Sequence, residues 1–211
     1  LFSSHFFLFA RIVRCRNFHP MLVLLCLEPV ILQDWLTKGV DEAGRPIKIL
    51  DTRNNFEIAL GSFKNAINLN LSKFSEFPEK IMTKKNIFQS YRIVSVCTGG
   101  IRCEKAALFM LKNGFKNVIQ LEGGIIEYLS STKGIHWSGE CFVFDYRVAV
   151  NKELQLGESQ LCYGCNMPLT KEDRQSHHYK EGFSCADCYD QLSEKRKRSL
   201  ADKREHWKRI L

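Results

Sequence analysis

At 211 residues, with 45% hydrophobic and 26% charged residues, the chain carries too much apolar material for wholesale disorder, and its length suits one domain with appendages or two small domains. Its formal net charge of +8 favours polyanionic partners but says nothing about fold. More than half of that surplus is local, because eight Lys or Arg stand against three acids between Gln191 and Leu211.

Leu1 to Ala10 is apolar and aromatic without periodicity, and residues 1–28 read as a remnant or truncated front end. Met21 to Leu27 follows Arg11, Arg14 and Arg16 and mimics a signal sequence. Glu28-Pro29 ends the run, no small-residue cleavage site follows, and it falls short of the ~20 apolar residues of a membrane span. The nine cysteines are therefore expected in a reducing cytoplasm, away from membranes, as nucleophiles, metal ligands or core fillers.

From Val30 the pattern becomes regular. Ile31, Leu32, Trp35 and Leu36 have helical spacing, and Ile47 to Leu50 is a short strand ending at Asp51. Asn55 to Leu60 suits a helical turn closed by Gly61, Ala66 to Leu69 a strand, and Phe74 to Met82 a helix that Pro78 interrupts or restarts. Ile93 to Val96 is a buried-type strand, followed by a helix to about Asn113, a strand from Asn117 to Leu121 and a helix from Ile125 to Leu129. This alternation predicts an α/β fold, a parallel sheet flanked by helices over residues 29–135. Residues 136–190 read as an extended segment, Cys141 to Val150, followed by a small Cys-rich subdomain. Residues 191–211 form a basic helix with Leu192, Leu200, Trp207 and Leu211 on one face.

Between the strand at Ile93 and its following helix lies Cys97-Thr98-Gly99-Gly100-Ile101-Arg102. A strand, a tight glycine loop and a helix N-terminus aim backbone N–H groups and the positive end of a helix dipole at one atom. A cysteine heading that loop has its pKa lowered and is ionised more readily. Arg102 adds positive charge, and Lys105 lies one helical turn further on. A buried structural cysteine is the bland alternative, since cysteine is commonly buried.

The residues Cys97 to Arg102 match the Cys-x4-Arg loop of rhodanese domains, and Asp51, Arg53, Glu57 and Gly61 resemble the Asp-x-Arg…Glu…Gly pattern of that fold. The longer strings Cys97 to Ala106, Leu121 to Ile125, Gly139 to Asp145 and Arg147 to Val150 resemble the oxygen-dependent tRNA uridine-34 hydroxylases, a rhodanese-domain family, from about Pro29 to Cys188. That resemblance implies a rhodanese-like fold, a tRNA anticodon stem-loop as partner, molecular oxygen as co-substrate and 5-hydroxyuridine as product. No flavin or nicotinamide is expected. The family carries a further small α/β domain in front; residues 1–28 are too few to build it, so a fragment or truncated product is expected.

On this reading Cys97 adds to the uracil ring, Arg102 and the loop residues Thr98, Gly99, Gly100 and Ile101 stabilise developing negative charge, and Lys105 supports ionisation or handles protons. Asp51, Arg53 and Glu57 support the loop structurally. Cys103 either resolves an oxidised Cys97 or is packed, with packing the expectation. Alternatives are thiosulfate-type sulfur transfer through a Cys97 persulfide and a non-catalytic tRNA-binding module.

Cys162-x-x-Cys165 and Cys185-x-x-Cys188 stand 19 residues apart, a spacing that suits a four-thiolate structural zinc site, with His177 or His178 able to replace one ligand. Arg147, Lys195, Arg196, Lys197 and Arg198 are candidate RNA contacts, against the plainer reading of a solvated helix face. Phe142, Phe144 and Tyr146 are candidate stacking residues, at least half of them expected in the core.

Overall fold

Short runs rich in Ile, Val and Leu become the core of a six-stranded sheet in the computed structural model, which describes residues 10–13 and 24–210. Its strands are β1 (Ala10–Val13), β2 (Leu24–Leu27), β3 (Ile47–Asp51), β5 (Ile67–Asn68), β6 (Arg92–Val96) and β7 (Val118–Leu121), in the order β1-β2-β7-β6-β3-β5. β1 is antiparallel to β2, and the other pairings are parallel. Every residue of β6 and β7 is buried, as a strand covered on both faces requires.

Helices α1 (Pro29–Lys38) and α5 (Gly124–Thr132) pack together, as do α3 (Phe77–Met82) and α4 (Ile101–Lys112). Ala106, Ala107, Leu108 and Met110 of α4 meet Leu50, Ile93 and Val118 from the sheet and Phe77 and Ile81 from α3. Pro78 restarts the helix instead of breaking it: a 3-10 turn at Phe74–Glu76 precedes α3, with proline in the first helical turn.

The register sets where chemistry can sit. Asp51 of β3 lies opposite Val96 of β6, and Ser95 lies opposite Gln120 of β7. The loops after all three strands therefore emerge at one sheet edge, where open α/β folds place their sites. Behind that edge α2 (Asn55–Leu60) runs into β4 (Gly61–Phe63), which pairs antiparallel with β8 (Trp137–Gly139), Gly61 opposite Gly139. Backbones cross here so closely that a Cβ on Gly61 would collide with the Glu140 carbonyl, and one on Gly139 with that of Leu60. This explains the glycine that closes the helical turn.

The chain groups into two units. The first takes in the described residues up to Phe142, including β9 (Cys141–Phe142), together with Asn151–Gln155; the second takes in Val143–Val150, with β10 (Ala149–Val150), and everything from Leu156. These groupings differ from a division at residues 28, 135 and 190: Leu24–Leu27, placed in a front remnant, is an inner strand beside β7. Nor is Cys141 to Val150 one extended segment. Val143 N–H donates to Val148 O at 2.9 Å and Val148 N–H to Asp145 O at 3.2 Å, a turn in which Val148 has φ +64°.

The second unit also holds β11 (Gln160–Leu161), β12 (Pro168–Leu169) and α6 (Glu194–Ile210). Leu192 packs against the Cys-rich cluster and Leu200 is buried. Expectations that rest on Leu1–Phe9, Arg14, Arg16, Met21–Val23 or Leu211, or on the side chains of Arg11 and Trp207, lie outside the described residues.

Candidate active site and metal centre

Cys97 follows β6 directly, and Gly100, with φ +90°, turns the chain into α4. This left-handed turn costs glycine little and brings two amides onto the sulfur. Gly100 N–H donates to Cys97 Sγ at 3.2 Å and Cys103 N–H donates at 3.4 Å. Cys103 Sγ lies 3.5 Å from Cys97 Sγ. The Cys97 thiol is pulled down from an ordinary 9.0 to about 6, first by its hydrogen bond with the Cys103 side chain, then by the amides of Cys103 and Arg102 and the charge of Arg102, all opposing burial. Cys103 is pushed well above 9.0 by the Cys97 thiolate and by burial. One sulfur is thus a thiolate and its neighbour a thiol. Cys97 is 2% exposed and Cys103 fully buried.

Around this pair stand two ion pairs, that of Arg102 half-buried and that of Arg53 fully buried. Arg102 Nη1 meets Glu57 Oε2 at 2.5 Å and Nη2 meets Oε1 at 2.6 Å, a bidentate pair. Glu57 also accepts the Asn54 N–H at 3.0 Å as the capping box of α2. Arg53 Nη2 pairs with Asp51 Oδ2 at 2.6 Å and donates to Gly61 O at 2.8 Å, and its guanidinium lies 5.2 Å from the Trp137 ring centre. Ser62 Oγ donates to Asp51 at 3.0 Å. Asp51 and Arg53 therefore tie β3 to β4 behind the loop.

The loop is clasped from its other side. Ile125 N–H donates to Cys97 O at 2.9 Å and Ile126 N–H to Thr98 O at 3.1 Å. A Cβ on Gly124 would lie 2.6 Å from Cys97 O and 2.7 Å from Gly100 N, so the approach requires glycine.

In the second unit the Sγ atoms of Cys162, Cys165, Cys185 and Cys188 all lie within 4.8 Å of one another and could hold a metal ion. Neither His177 nor His178 joins them; their ring centres lie 3.6 Å apart at a tilt of 43°, and the His178 ring lies 4.6 Å from that of Tyr189.

The rhodanese-like domain family matches residues 32–131. Residues 32–131 form a rhodanese-like domain. Curated relatives of this chain are named tRNA uridine(34) hydroxylase. That of Cupriavidus pinatubonensis is 49% identical over 162 residues, covering 77% of this chain and 57% of that protein. That of Burkholderia cenocepacia is 50% identical over 157 residues, covering 74% and 55%. The chain thus spans little more than half the length of these relatives. A solved rhodanese-related protein from Thermoplasma volcanium is 26% identical, with a TM-score of 0.41, over 51% of this chain and 92% of that one.

Within the rhodanese loop the expected residues take unequal parts. Cys97, Thr98, Gly100 and Arg102 meet at the sheet edge, whereas Gly99 and Ile101 are exposed. Lys105 is also exposed, and the charge named in lowering the Cys97 thiol is that of Arg102. Cys103, for which packing was the expectation and resolution of an oxidised Cys97 the alternative, places its sulfur 3.5 Å from that of Cys97. Cysteine six residues after cysteine was the available signal.

Of the expected RNA contacts, Arg196 donates to Tyr163 O at 2.8 Å, Lys197 pairs with Glu194 at 2.8 Å and Arg147 pairs with Asp145 at 2.7 Å. Lys195 and Arg198 are exposed. Phe142 is core, edge-on to Phe56 at 5.2 Å, while Phe144 and Tyr146 are exposed. No helix among the described residues is long and apolar enough to cross a membrane.

Proposed function

We propose that this chain carries the catalytic rhodanese domain of a cytoplasmic tRNA uridine-34 hydroxylase, an oxidoreductase that forms 5-hydroxyuridine from uridine 34 and molecular oxygen. The observation that carries this reading is the Cys97 sulfur, set at the head of α4 with two amides aimed at it and its thiol lowered to about 6. The names of the relatives supply the substrate class.

Cys97 thiolate adds to C6 of uracil, which raises electron density at C5, the carbon that reacts with oxygen. Negative charge passes from the sulfur into the ring, and the loop amides are the donors nearest that change. Arg102, held by Glu57, contributes a fixed positive charge rather than a mobile one. At 2% exposure the sulfur meets a uracil only after the groups covering it shift, so base capture and opening of the site are coupled.

The four-cysteine cluster is read as structural zinc. Three of its six Sγ–Sγ separations, at 3.7, 3.7 and 3.8 Å, agree with the edge of a tetrahedron built on Zn–S bonds of about 2.3 Å, roughly 3.8 Å, and all six lie within 4.8 Å. Four protein sulfurs leave no position for substrate. The anticodon stem-loop is the expected RNA partner, with Lys195 and Arg198 as exposed cations suited to phosphate.

The test is nucleoside mass spectrometry of tRNA from a strain lacking its own hydroxylase and expressing this chain, its Cys97→Ser variant, or the chain joined to a front domain from a relative. The expected result is 5-hydroxyuridine from this chain or from its extended version, and none from Cys97→Ser. Thiosulfate turnover without any 5-hydroxyuridine in either version would replace hydroxylation with sulfur transfer.

A further inference from the structure

Hydroxylation by molecular oxygen has an electron requirement that the addition step leaves unmet. One oxygen atom enters C5 and the other leaves as water, which takes two electrons and two protons beyond those of the C5–H bond. A donor has to deliver both electrons close to the reacting carbon, and Cys97 is the protein atom bonded to its neighbour C6.

The sulfur nearest to Cys97 is that of Cys103, at 3.5 Å. Closing that gap to a bond of about 2.05 Å takes a shift of roughly 1.5 Å, within reach of side-chain rotation. Both cysteines lie on the same loop and first helical turn, and Cys103 Sγ is held over the Gly100 carbonyl at 3.2 Å. Its full burial keeps outside oxidants away from it, so it is reached through Cys97. Among the described residues the other cysteines of this unit are placed differently: Cys141 faces the Phe142 carbonyl at 3.7 Å, and Cys26 accepts from Gln120 Nε2 at 2.9 Å.

We propose that Cys97 and Cys103 together donate the two electrons of each hydroxylation, ending the turnover as a Cys97–Cys103 disulfide. This rests on the hydroxylase reading. The C5 carbanion formed by addition of Cys97 takes up oxygen and a proton to give a C5 hydroperoxide. Loss of the C5 proton expels the Cys97 thiolate from C6 and restores the ring double bond. The freed thiolate attacks the distal peroxide oxygen; the O–O bond breaks, C5 keeps its oxygen as the hydroxyl after protonation, and Cys97 becomes a sulfenic acid. Cys103 thiol then displaces that hydroxyl as water and forms the S–S bond. Uridine, oxygen and two thiols give 5-hydroxyuridine, water and one disulfide. An external dithiol reduces the disulfide by thiol–disulfide exchange and opens the next cycle.

The asymmetry of the pair suits both halves of this sequence. Cys97 is the thiolate that attacks, and Cys103 holds the proton that leaves in water. A Cys103 that served only as a hydrogen-bond donor would be replaceable by serine, which donates but cannot form the disulfide.

The experiment uses the full chain, alone and joined to a front domain, reduced and then freed of reductant, in air with tRNA bearing uridine 34. Nucleoside mass spectrometry counts 5-hydroxyuridine, and peptide mass mapping after alkylation counts the disulfide. The expected result is equimolar 5-hydroxyuridine and Cys97–Cys103 disulfide, then arrest until a dithiol is added. Cys103→Ser, with Cys103→Ala as a second variant and circular dichroism as the folding control, loses the disulfide and leaves Cys97 sulfenic acid trapped as a dimedone adduct.

5-Hydroxyuridine formed without the disulfide, or turnover in Cys103→Ser equal to wild type, overturns the proposal and leaves the hydroxylase reading standing. A parallel arm with tert-butyl hydroperoxide as the only oxidant separates the two. There the reduced chain is expected to give the disulfide directly, and a dimedone-labelled Cys97 beside a free Cys103 thiol overturns the pairing. Disulfide in the peroxide arm with no 5-hydroxyuridine from either version overturns the donor role and assigns the failure to the hydroxylase reading.

Discussion

Glu57 grips the Arg102 guanidinium with both carboxylate oxygens, at 2.5 and 2.6 Å, across 45 residues of sequence. Glu57 is fully buried, and it also caps α2 through the Asn54 N–H. Arg102→Ala therefore strands a buried carboxylate, and the expected cost is about 3 kcal/mol of unfolding free energy. Glu57→Gln should cost a comparable amount, while Glu57→Gln with Arg102→Met should cost less than the sum of the singles. Urea denaturation of the four proteins measures this. Additive losses would mean that the two side chains are not coupled. Activity lost in Arg102→Ala is then partly a folding loss.

The Cys97 thiol titrates near 6, below an ordinary 9.0. Ultraviolet thiolate absorbance of wild type minus Cys97→Ser should show an inflection near pH 6. Because the folded value lies below the unfolded one, ionisation stabilises the fold: the contribution is absent below about pH 6, grows between 6 and 9 and is complete above 9. Above 9 Cys103 acts in the opposite sense, since its thiol is pushed up in the folded chain. Cys103→Ala removes the largest lowering interaction and should move the Cys97 inflection upward. An unmoved inflection would assign the lowering to the amides and Arg102 alone.

Cys162, Cys165, Cys185 and Cys188 bring four sulfurs together in a unit with little other core. Elemental analysis should find one zinc per chain. A strong chelator, or Cys162→Ser, should release it and open residues 156–211 to protease while the sheet around β6 stays protected. Metal binding at such sites is worth on the order of 10 kcal/mol, so its loss should be cooperative. Full resistance to protease after complete metal removal would show that the unit stands without it.

Lys195 and Arg198 are exposed on α6, whereas Arg196 is committed to the Tyr163 carbonyl. Neutralising Lys195 and Arg198 should weaken tRNA binding and reduce the slope of log affinity against log salt by about 0.7–0.9 for each phosphate no longer neutralised. Arg196→Ala should instead lower stability. Binding titrations at several salt concentrations check the first, and thermal melting the second. An unchanged slope would return α6 to a solvated helix.

What could be read in the sequence was local. Cys97 to Arg102, the turn from Asn55 to Gly61 and the two Cys-x-x-Cys pairs are contiguous patterns whose residue types fix their own geometry. What escaped depends on partners distant in the chain. Leu24–Leu27 has no periodicity of its own and becomes a strand because β7 accepts it. Glu57 does not announce Arg102 as its partner, and without that pairing Arg102 reads as a free cation. Lys105 shares a helical turn with Arg102 yet faces outward. Phe142 and Phe144 look alike in sequence, and only packing puts one inside and leaves the other out.

A Cβ on Gly124 would press on backbone atoms of Cys97, Thr98 and Gly100 at 2.6–2.7 Å, and the neighbouring Ile125 and Ile126 bond the loop carbonyls. The turn after β7 is thus a mould against which the turn after β6 is cast. A single methyl group added there changes no nucleophile, charge or ligand, yet it bends the seat on which the thiolate rests. Variation at position 124 should consequently be tolerated only together with change in the Cys97 loop, making two stretches of chain with no shared chemistry a single unit of inheritance.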